Sequence, residues 1–203
     1  MNWDLFAAFL VITAVLIVVP GPIVTLIIAT AARQGVRPAL VTVAGTSVGN
    51  AILLAAIALG LGWVLQNAEA LFVILRWVGA AYLIWLGIPA WRHAGELKPV
   101  ETSGRVNFTR GLVVALSNPK TIAFFTAFLP QFVDPALPVA LQLTVMCSVT
   151  AMFAALSDSA WAIAAGMGRA WFMRPSRAKL LGRVSGAVLI GGGVWLSLAR
   201  RTG

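Results

Sequence analysis

Long stretches without a charged residue are the feature that most constrains how this chain folds. A helix that crosses the hydrocarbon core of a bilayer needs about 20 predominantly apolar residues. Six stretches approach or exceed this length, and only one of them contains a charge, Lys120: residues 5–32, 38–68, 77–91, 111–133, 135–157 and 184–199. Charged residues make up 10% of the 203-residue chain, against about 25% in a soluble domain. The sequence therefore predicts an all-α integral membrane protein in contact with a lipid bilayer.

Six transmembrane helices are predicted, with limits at 5–31, 39–65, 71–91, 110–131, 139–166 and 183–200. The last is short, so Arg183 and Arg200 are expected to extend toward opposite interfaces. A cleavable signal peptide is the competing interpretation of the first stretch, but its leading segment should be positive and residues 1–4 carry only an acid. The single cysteine, Cys147, lies in an apolar stretch and is predicted to be a packing residue.

The basic residues indicate how the helices are oriented. Eleven of the 15 lysines and arginines fall in the loops after predicted helices one, three and five. The opposite loops contain Glu69 and Asp134 and no base. By the positive-inside rule the basic loops are cytoplasmic and both termini are outside, although Arg200 and Arg201 argue against this orientation. The net charge of +9 is thus a topology signal, and the absence of a nucleic-acid motif argues against a nucleic-acid partner.

The chain divides into two halves around a polar, glycine- and proline-containing segment. Residues 92–109 are predicted to be a cytoplasmic linker between a three-helix repeat at 1–91 and a second one at 110–203. Each half interrupts its first helix with proline, at residues 20–22 and in "SNPKT" at residues 117–121. Because each half has an odd number of helices, the second repeat is expected to be inverted relative to the first.

The interruptions point to a binding site. Proline inside a helix removes a backbone donor and costs about 3 kcal/mol, and the carbonyls it frees are costly in lipid unless protein groups satisfy them. If helix one is broken at Pro20, Gly21 and Pro22, and helix four at Asn118 and Pro119, two half-helix N-termini face one level of the membrane. Such N-termini attract a carboxylate. The alternative is that the prolines only kink the helices.

Polar residues lie at the same depth as the breaks. Lys120, Asp158 and Asn50 are each about 15–20 Å from the nearest cytoplasmic arginine at 1.5 Å per helical residue, near the middle of a core about 30 Å thick. Lys120 is predicted to bind a carboxylate, and Asp158 to accept an ammonium or carry a proton. The implied ligand is a small zwitterion such as an amino acid. Two alternatives stay open: the two charges form a structural pair, and the Gly45/Gly49 motif serves close helix packing.

The candidate substrate-binding and translocation residues are therefore Pro20, Gly21, Pro22, Gly45, Gly49, Asn50, Asn118, Pro119, Lys120, Thr121 and Asp158. No catalytic residue, metal site or cofactor is predicted, because the only histidine, His93, lies in a loop and proteases of the membrane need an embedded histidine or a zinc motif. Export of a cation or another small solute is the rival function, and a structural membrane protein is the third. The sequence leaves open whether the protein forms a homo-oligomer.

Several segments resemble the LysE/RhtB family of bacterial amino-acid exporters. They are "PGP" in helix one, "GTSVGN" in helix two, "WVGAAYLIWLG" in helix three, "NPKTIAFFTAFLPQFVDP" at residues 118–135, and "SGAVLIGGG" in the last helix. The resemblance covers nearly the whole chain. It implies a six-helix protein of the bacterial inner membrane that exports amino acids or close derivatives by proton antiport. Asp158 with Trp161 also matches a family pattern, whereas Asn50 stands where many members carry an acid, so proton coupling is expected to fall on Asp158.

Overall fold

The computed structural model describes residues 1–67, 69–94, 107–172 and 174–198, and within these ranges all regular structure is helical. The described ranges contain nine α-helices and one 3₁₀ segment in this order: α1 (Trp3–Val18), α2 (Pro22–Gln34), α3 (Val36–Asn67), α4 (Glu69–Arg92), α5 (Asn107–Leu116), α6 (Pro119–Phe128), the 3₁₀ segment (Leu129–Phe132), α7 (Val139–Met167), α8 (Arg169–Phe172) and α9 (Pro175–Leu198). The predicted all-α class is confirmed. Residues 95–106 of the predicted linker and the terminal Arg200 and Arg201 lie outside the described ranges.

Among the residues that the structure describes, five segments are long and apolar enough to cross a membrane: Val36–Leu65, Val73–Arg92, Asn107–Phe132, Val139–Met167 and Ser176–Leu198. The α1–α2 pair, bent by 43°, gives a sixth if it forms one span. Large apolar side chains are exposed along these helices, including Leu59, Trp63 and Leu156, as expected of surfaces that face lipid. The protein is therefore a multi-pass membrane protein.

The last span is longer than predicted. The expected limits were 183–200, but α9 begins eight residues earlier, at Pro175. Basic residues in its first turns do not end the helix, because long side chains lie along apolar surface while their charged ends reach toward water. Arg177 lies over the Trp171 ring at 4.9 Å, and Arg183 over the Trp91 ring at 5.9 Å.

The junction of α1 and α2 follows from the local sequence. Val19 and Gly21 have extended backbones on either side of Pro20, so α1 ends at Val18. Pro22 occupies the first position of α2, where a missing N–H costs nothing because that donor has no partner within the helix. The chain thus leaves one helix and enters the next within three residues.

Two buried apolar clusters divide the bundle along its length. One, rich in aromatic rings, contains Phe9, Leu16, Leu54 and Cys147 among others. The second is smaller and contains Ile23, Val43, Ala115 and Ala162 among others. Four segments of the described chain contribute to both clusters, namely α1–α2, α3, α5–α6 and α7. The residues between the clusters are non-helical at 19–21 and 117–118, and they include polar side chains at 46–50 and at Thr150 and Asp158. The candidate site lies in this intermediate layer.

Candidate functional site

Lys120 lies in the first turn of α6 and is buried, with 7% of its surface exposed. Its Nζ donates hydrogen bonds to the carbonyl oxygens of Leu16 at 2.8 Å and Val19 at 2.7 Å. These carbonyls belong to the last turn of α1 and to the junction after it, where the ended helix supplies no N–H partner. The lysine ammonium therefore caps the carbonyl end of α1.

Gly21 makes room for this arrangement. A Cβ at Gly21 would lie 3.0 Å from Lys120 Cδ and 3.5 Å from its Nζ. The first of these distances is shorter than an ordinary carbon–carbon contact of about 3.5–4.0 Å. The absent side chain allows the lysine to cross the α1–α2 junction.

The N-terminal ends of α2 and α6 differ in how they are capped. Asn118 caps α6: its Oδ1 accepts from the backbone N–H of Lys120 at 3.1 Å, and its Nδ2 donates to Thr121 Oγ1 at 2.8 Å. Gly21 caps α2 with no side-chain hydrogen bond. The start of α2 therefore presents donors that no capping side chain occupies.

Asp158 lies in the middle of α7 and is 4% exposed. Its Oδ2 is 3.1 Å from Thr46 Oγ1, which is also 3.0 Å from the carbonyl oxygen of Val43. The threonine has one hydroxyl proton, so the carboxylate and the carbonyl compete for it. The contact fixes the register of α3 against α7. It also gives the buried carboxylate a hydroxyl group as a polar neighbour.

A small cavity joins these groups, with a volume of about 50 Å³. Lys120 and Asp158 both contribute to its wall, together with polar and apolar residues from α1, α2, α3, α6 and α7: Leu16, Ile17, Val19, Gly21, Ile23, Val24, Asn50, Leu54, Asn118, Thr121, Phe125, Thr150 and Ala154. A cavity of about 150 Å³ holds benzene, so this one accommodates a few water molecules. An amino acid would require the surrounding helices to move apart.

The predicted site residues fall into two groups. Six line the cavity: Gly21, Asn50, Asn118, Lys120, Thr121 and Asp158. Pro20, Pro22, Gly45, Gly49 and Pro119 are not among its lining residues. The three prolines are chain neighbours of lining residues and shape the helix ends, whereas the two glycines face α5. A Cβ at Gly49 would lie 2.7 Å from the Ala115 Cβ, and one at Gly45 would overlap the carbonyl oxygen of Phe108.

Sequence reasoning missed two side chains of the site, Thr46 and Thr150, and the two backbone carbonyls that Lys120 contacts. Thr46 precedes Asn50 by one helical turn, and Thr150 precedes Asp158 by two turns. Each threonine therefore lies on the same helix face as a predicted site residue, and this spacing could have identified both. The carbonyls of Leu16 and Val19 carry no side-chain signature. Where it is described, the chain brings together no three His, Cys, Asp or Glu side chains that could hold a metal ion.

Polar contacts also join the helices at the two ends of the bundle. Asn2 Nδ2 donates to Asp134 Oδ2 at 3.1 Å, next to the start of α1. This bond, with a second from the Ala136 N–H, lowers the pKa of Asp134 below its ordinary value. At the opposite end, Asn107 Nδ2 donates to Gln34 Oε1 at 3.0 Å. The cavity lies between these two contacts.

Membrane-crossing helices around a small buried polar cavity, with helix ends directed at that cavity, are the architecture of a membrane transporter. The family model described as LysE type translocator matches residues 14–200. The chain belongs to this family, which confirms the resemblance seen in the sequence.

Relatives with efflux names cover much or all of the chain. A homoserine/homoserine lactone efflux protein of Salmonella typhimurium (strain LT2) is 33% identical over 205 residues, which span 98% of this chain and 99% of the relative. A leucine efflux protein of Enterobacter sp. (strain 638) is 34% identical over 128 residues, 59% of each chain. An uncharacterized membrane protein of Vibrio cholerae is 28% identical over 98% of this chain and 100% of the relative. No solved structure matches the chain significantly.

Proposed function

We propose that this protein exports amino acids or close derivatives across the bacterial inner membrane. One observation carries the proposal: two buried side chains of opposite charge, Lys120 and Asp158, line the same cavity. A zwitterion offers a carboxylate to the first and an ammonium to the second. The efflux proteins named among the relatives support the direction of transport and the class of substrate.

The substrate carboxylate binds to Lys120 and to the start of α2. Lys120 donates two of its three ammonium protons to the Leu16 and Val19 carbonyls, so the carboxylate accepts the third. The negative charge also draws the ammonium toward the cavity, which weakens the two bonds to α1 and loosens the contact between α1 and α6 at the level of the cavity. This weakening couples occupancy to helix movement, which the small cavity volume requires.

Asp158 exchanges a proton for the substrate ammonium. It is the acidic side chain that lines the cavity, and Asn50 cannot titrate. A protonated Asp158 still donates or accepts hydrogen bonds, while the ionised form pairs with an ammonium. Alternation between the two forms links outward substrate movement to inward proton movement.

We further propose that the two halves are inverted repeats whose first helices are broken by proline. Support comes from a shared detail: α2 and α6 each begin with a proline at the first helical position, Pro22 and Pro119, after a non-helical residue. The positive-inside rule places both termini outside the cytoplasm.

Substituting Asp158 with Asn tests proton coupling. In proteoliposomes loaded with radiolabelled amino acid, Asp158→Asn is expected to abolish efflux driven by a pH gradient while substrate exchange continues at a reduced rate, because an Asn carbonyl still accepts a hydrogen bond. Asp134→Asn is the matched control, since Asp134 lies away from the cavity and should retain gradient-driven efflux. Gradient-driven efflux by a well-folded Asp158→Asn protein would refute the coupling role.

The proline break is tested separately. Replacing both Pro20 and Pro22 with Ala is expected to make the α1–α2 junction more helical, so that its donors pair internally and no longer face the cavity. Transport should be lost at normal protein abundance. If the double variant exports at the wild-type rate, the break has only an architectural role.

A further inference from the structure

Two buried polar atoms on the cavity wall have no hydrogen-bond partner among the described residues of the protein: Asn50 Oδ1 and Thr150 Oγ1. Their residues are 6% and 2% exposed, and both line the cavity. Leaving such an atom unpaired is destabilising, because burial removes its hydrogen bonds to water without replacing them. These two atoms of the cavity wall can therefore form hydrogen bonds with a polar group of a bound ligand.

The two atoms lie on one side of Asp158 along the bundle. Thr150, Ala154 and Asp158 follow at intervals of four residues and share one face of α7, each about 6 Å further along the helix axis. Contacts at both ends of α3 show that it runs antiparallel to α7, since Gly62 approaches Leu143 and Gly166 approaches Val36.

The Thr46–Asp158 contact then sets the level of Asn50. Asn50 follows Thr46 by one turn, so it lies about 6 Å from the level of Asp158, in the direction of Thr150. The polar atoms are thus displaced from the carboxylate by one and two turns. A substrate whose ammonium is at Asp158 directs its side chain toward them.

Hydrogen-bond chemistry selects the group that fits. Asn50 Oδ1 only accepts, whereas Thr150 Oγ1 both accepts and donates. A hydroxyl donates one proton and accepts at its lone pairs, so one hydroxyl can bond to both atoms. An alkyl group of the same size would leave both atoms unpaired, although Leu54 and Phe125 nearby would contact it.

We propose that Asn50 and Thr150 are specificity-determining residues that select amino acids with a side-chain hydroxyl. This inference rests on the proposed function, because it assumes that an amino acid occupies the cavity. Each hydrogen bond to the hydroxyl is expected to favour such a substrate by about three- to tenfold over an alkyl analogue.

The test compares homoserine with norvaline, which has a methyl group where homoserine has its hydroxyl. Exchange of each radiolabelled compound is measured in proteoliposomes that contain the wild-type protein, Thr150→Val, Asn50→Leu or Thr144→Val. Thr144 is the matched control: it lies on α7 but is exposed, and its hydroxyl donates to the Ala140 carbonyl.

The wild type is expected to prefer homoserine, and the homoserine-to-norvaline ratio should fall by about three- to tenfold in Thr150→Val and in Asn50→Leu. The control should keep the wild-type ratio. Thr150→Val conserves the size and shape of the side chain. If Asn50→Leu does not fold, the homoserine-to-norvaline ratio of Thr150→Val alone tests the proposal.

Two contrary outcomes are distinguishable. Transport of both compounds with the same ratio in all four proteins would overturn the hydroxyl site and leave amino-acid export intact. If the wild type transports neither these compounds nor any other amino acid, the proposed function fails, and this inference fails with it.

Discussion

Substituting Gly49 with Ala tests whether this glycine serves helix packing. A Cβ at Gly49 would lie 2.7 Å from the Ala115 Cβ and 2.8 Å from the Leu112 carbonyl oxygen. Ordinary carbon–carbon contacts are about 3.5–4.0 Å, so α3 and α5 would have to separate by roughly 1 Å. The Leu112 oxygen belongs to the backbone of a helix and cannot rotate out of the way.

The size of the effect follows from two opposing terms. Overpacking of this kind costs about 1–3 kcal/mol, while Ala is preferred over Gly inside a helix by about 0.5–1 kcal/mol. Gly49→Ala is therefore expected to lower the free energy of unfolding by up to about 2.5 kcal/mol relative to the wild type, and by about 1–3 kcal/mol relative to a Gly-to-Ala change at an open helical position. Gly60→Ala is the matched control on the same helix, because a Cβ there meets nothing within 4 Å and should only stabilise.

Thermal unfolding in detergent, followed by loss of monodisperse protein, measures the difference between the two variants. Transport should fall together with stability in Gly49→Ala, since α3 also carries Thr46 and Asn50. The packing argument is refuted if Gly49→Ala unfolds at the same temperature as Gly60→Ala. Lost transport with unchanged unfolding would instead favour a direct role of Gly49 in translocation.

Three further outcomes are expected. Lys120→Met removes both hydrogen bonds to the α1 carbonyls and should lower the free energy of unfolding by roughly 2–5 kcal/mol; unchanged chemical denaturation would contradict the capping role. Because the folded-state pKa of Asp134 is lowered, its carboxylate stabilises the fold above the ordinary Asp pKa, and this contribution is lost as pH falls through the folded-state value. Asn2→Ala should thus reduce the unfolding temperature more at neutral pH than in acid, where only the loss of the α1 N-cap bond from the Leu5 N–H remains, whereas an equal reduction at both pH values would argue against the bond to Asp134. In a Cys147→Ser background, an impermeant thiol reagent should fail to label Ser103→Cys in intact cells, and labelling would overturn the proposed orientation.

The membrane spans could be predicted from sequence because charges are excluded from hydrocarbon, so uncharged runs mark helices directly. The start of α9 could not be predicted in this way, because Arg177 and Arg183 lie within the helix. Their guanidinium groups lie over the rings of Trp171 and Trp91. A rule that ends a span at the first charge shortens such a helix.

The candidate site was predictable in part for a similar reason. Burial of a charge in a membrane is costly, so the positions of Lys120 and Asp158 within apolar stretches were enough to identify them as candidate site residues. Their partners depend on how helices pack: Thr46 meets Asp158 only at one register of α3 against α7, and the Leu16 carbonyl is a backbone group that any residue would carry. The depth of a residue in the membrane can be counted along its own helix, but contacts between helices cannot be predicted from such a count.

The bonds from Lys120 to the α1 carbonyls affect how strongly the empty protein binds a ligand. The Leu16 and Val19 carbonyls hold two of the three ammonium protons, so in the proposed mechanism a weakly binding anion gains the third proton without moving the lysine. If the substrate has to draw the lysine away from these carbonyls, part of its binding free energy offsets the two bonds, and its apparent affinity is lowered. Weak retention would suit an exporter whose substrate accumulates outside, because the carbonyls of Leu16 and Val19 would take the lysine back as the substrate departs.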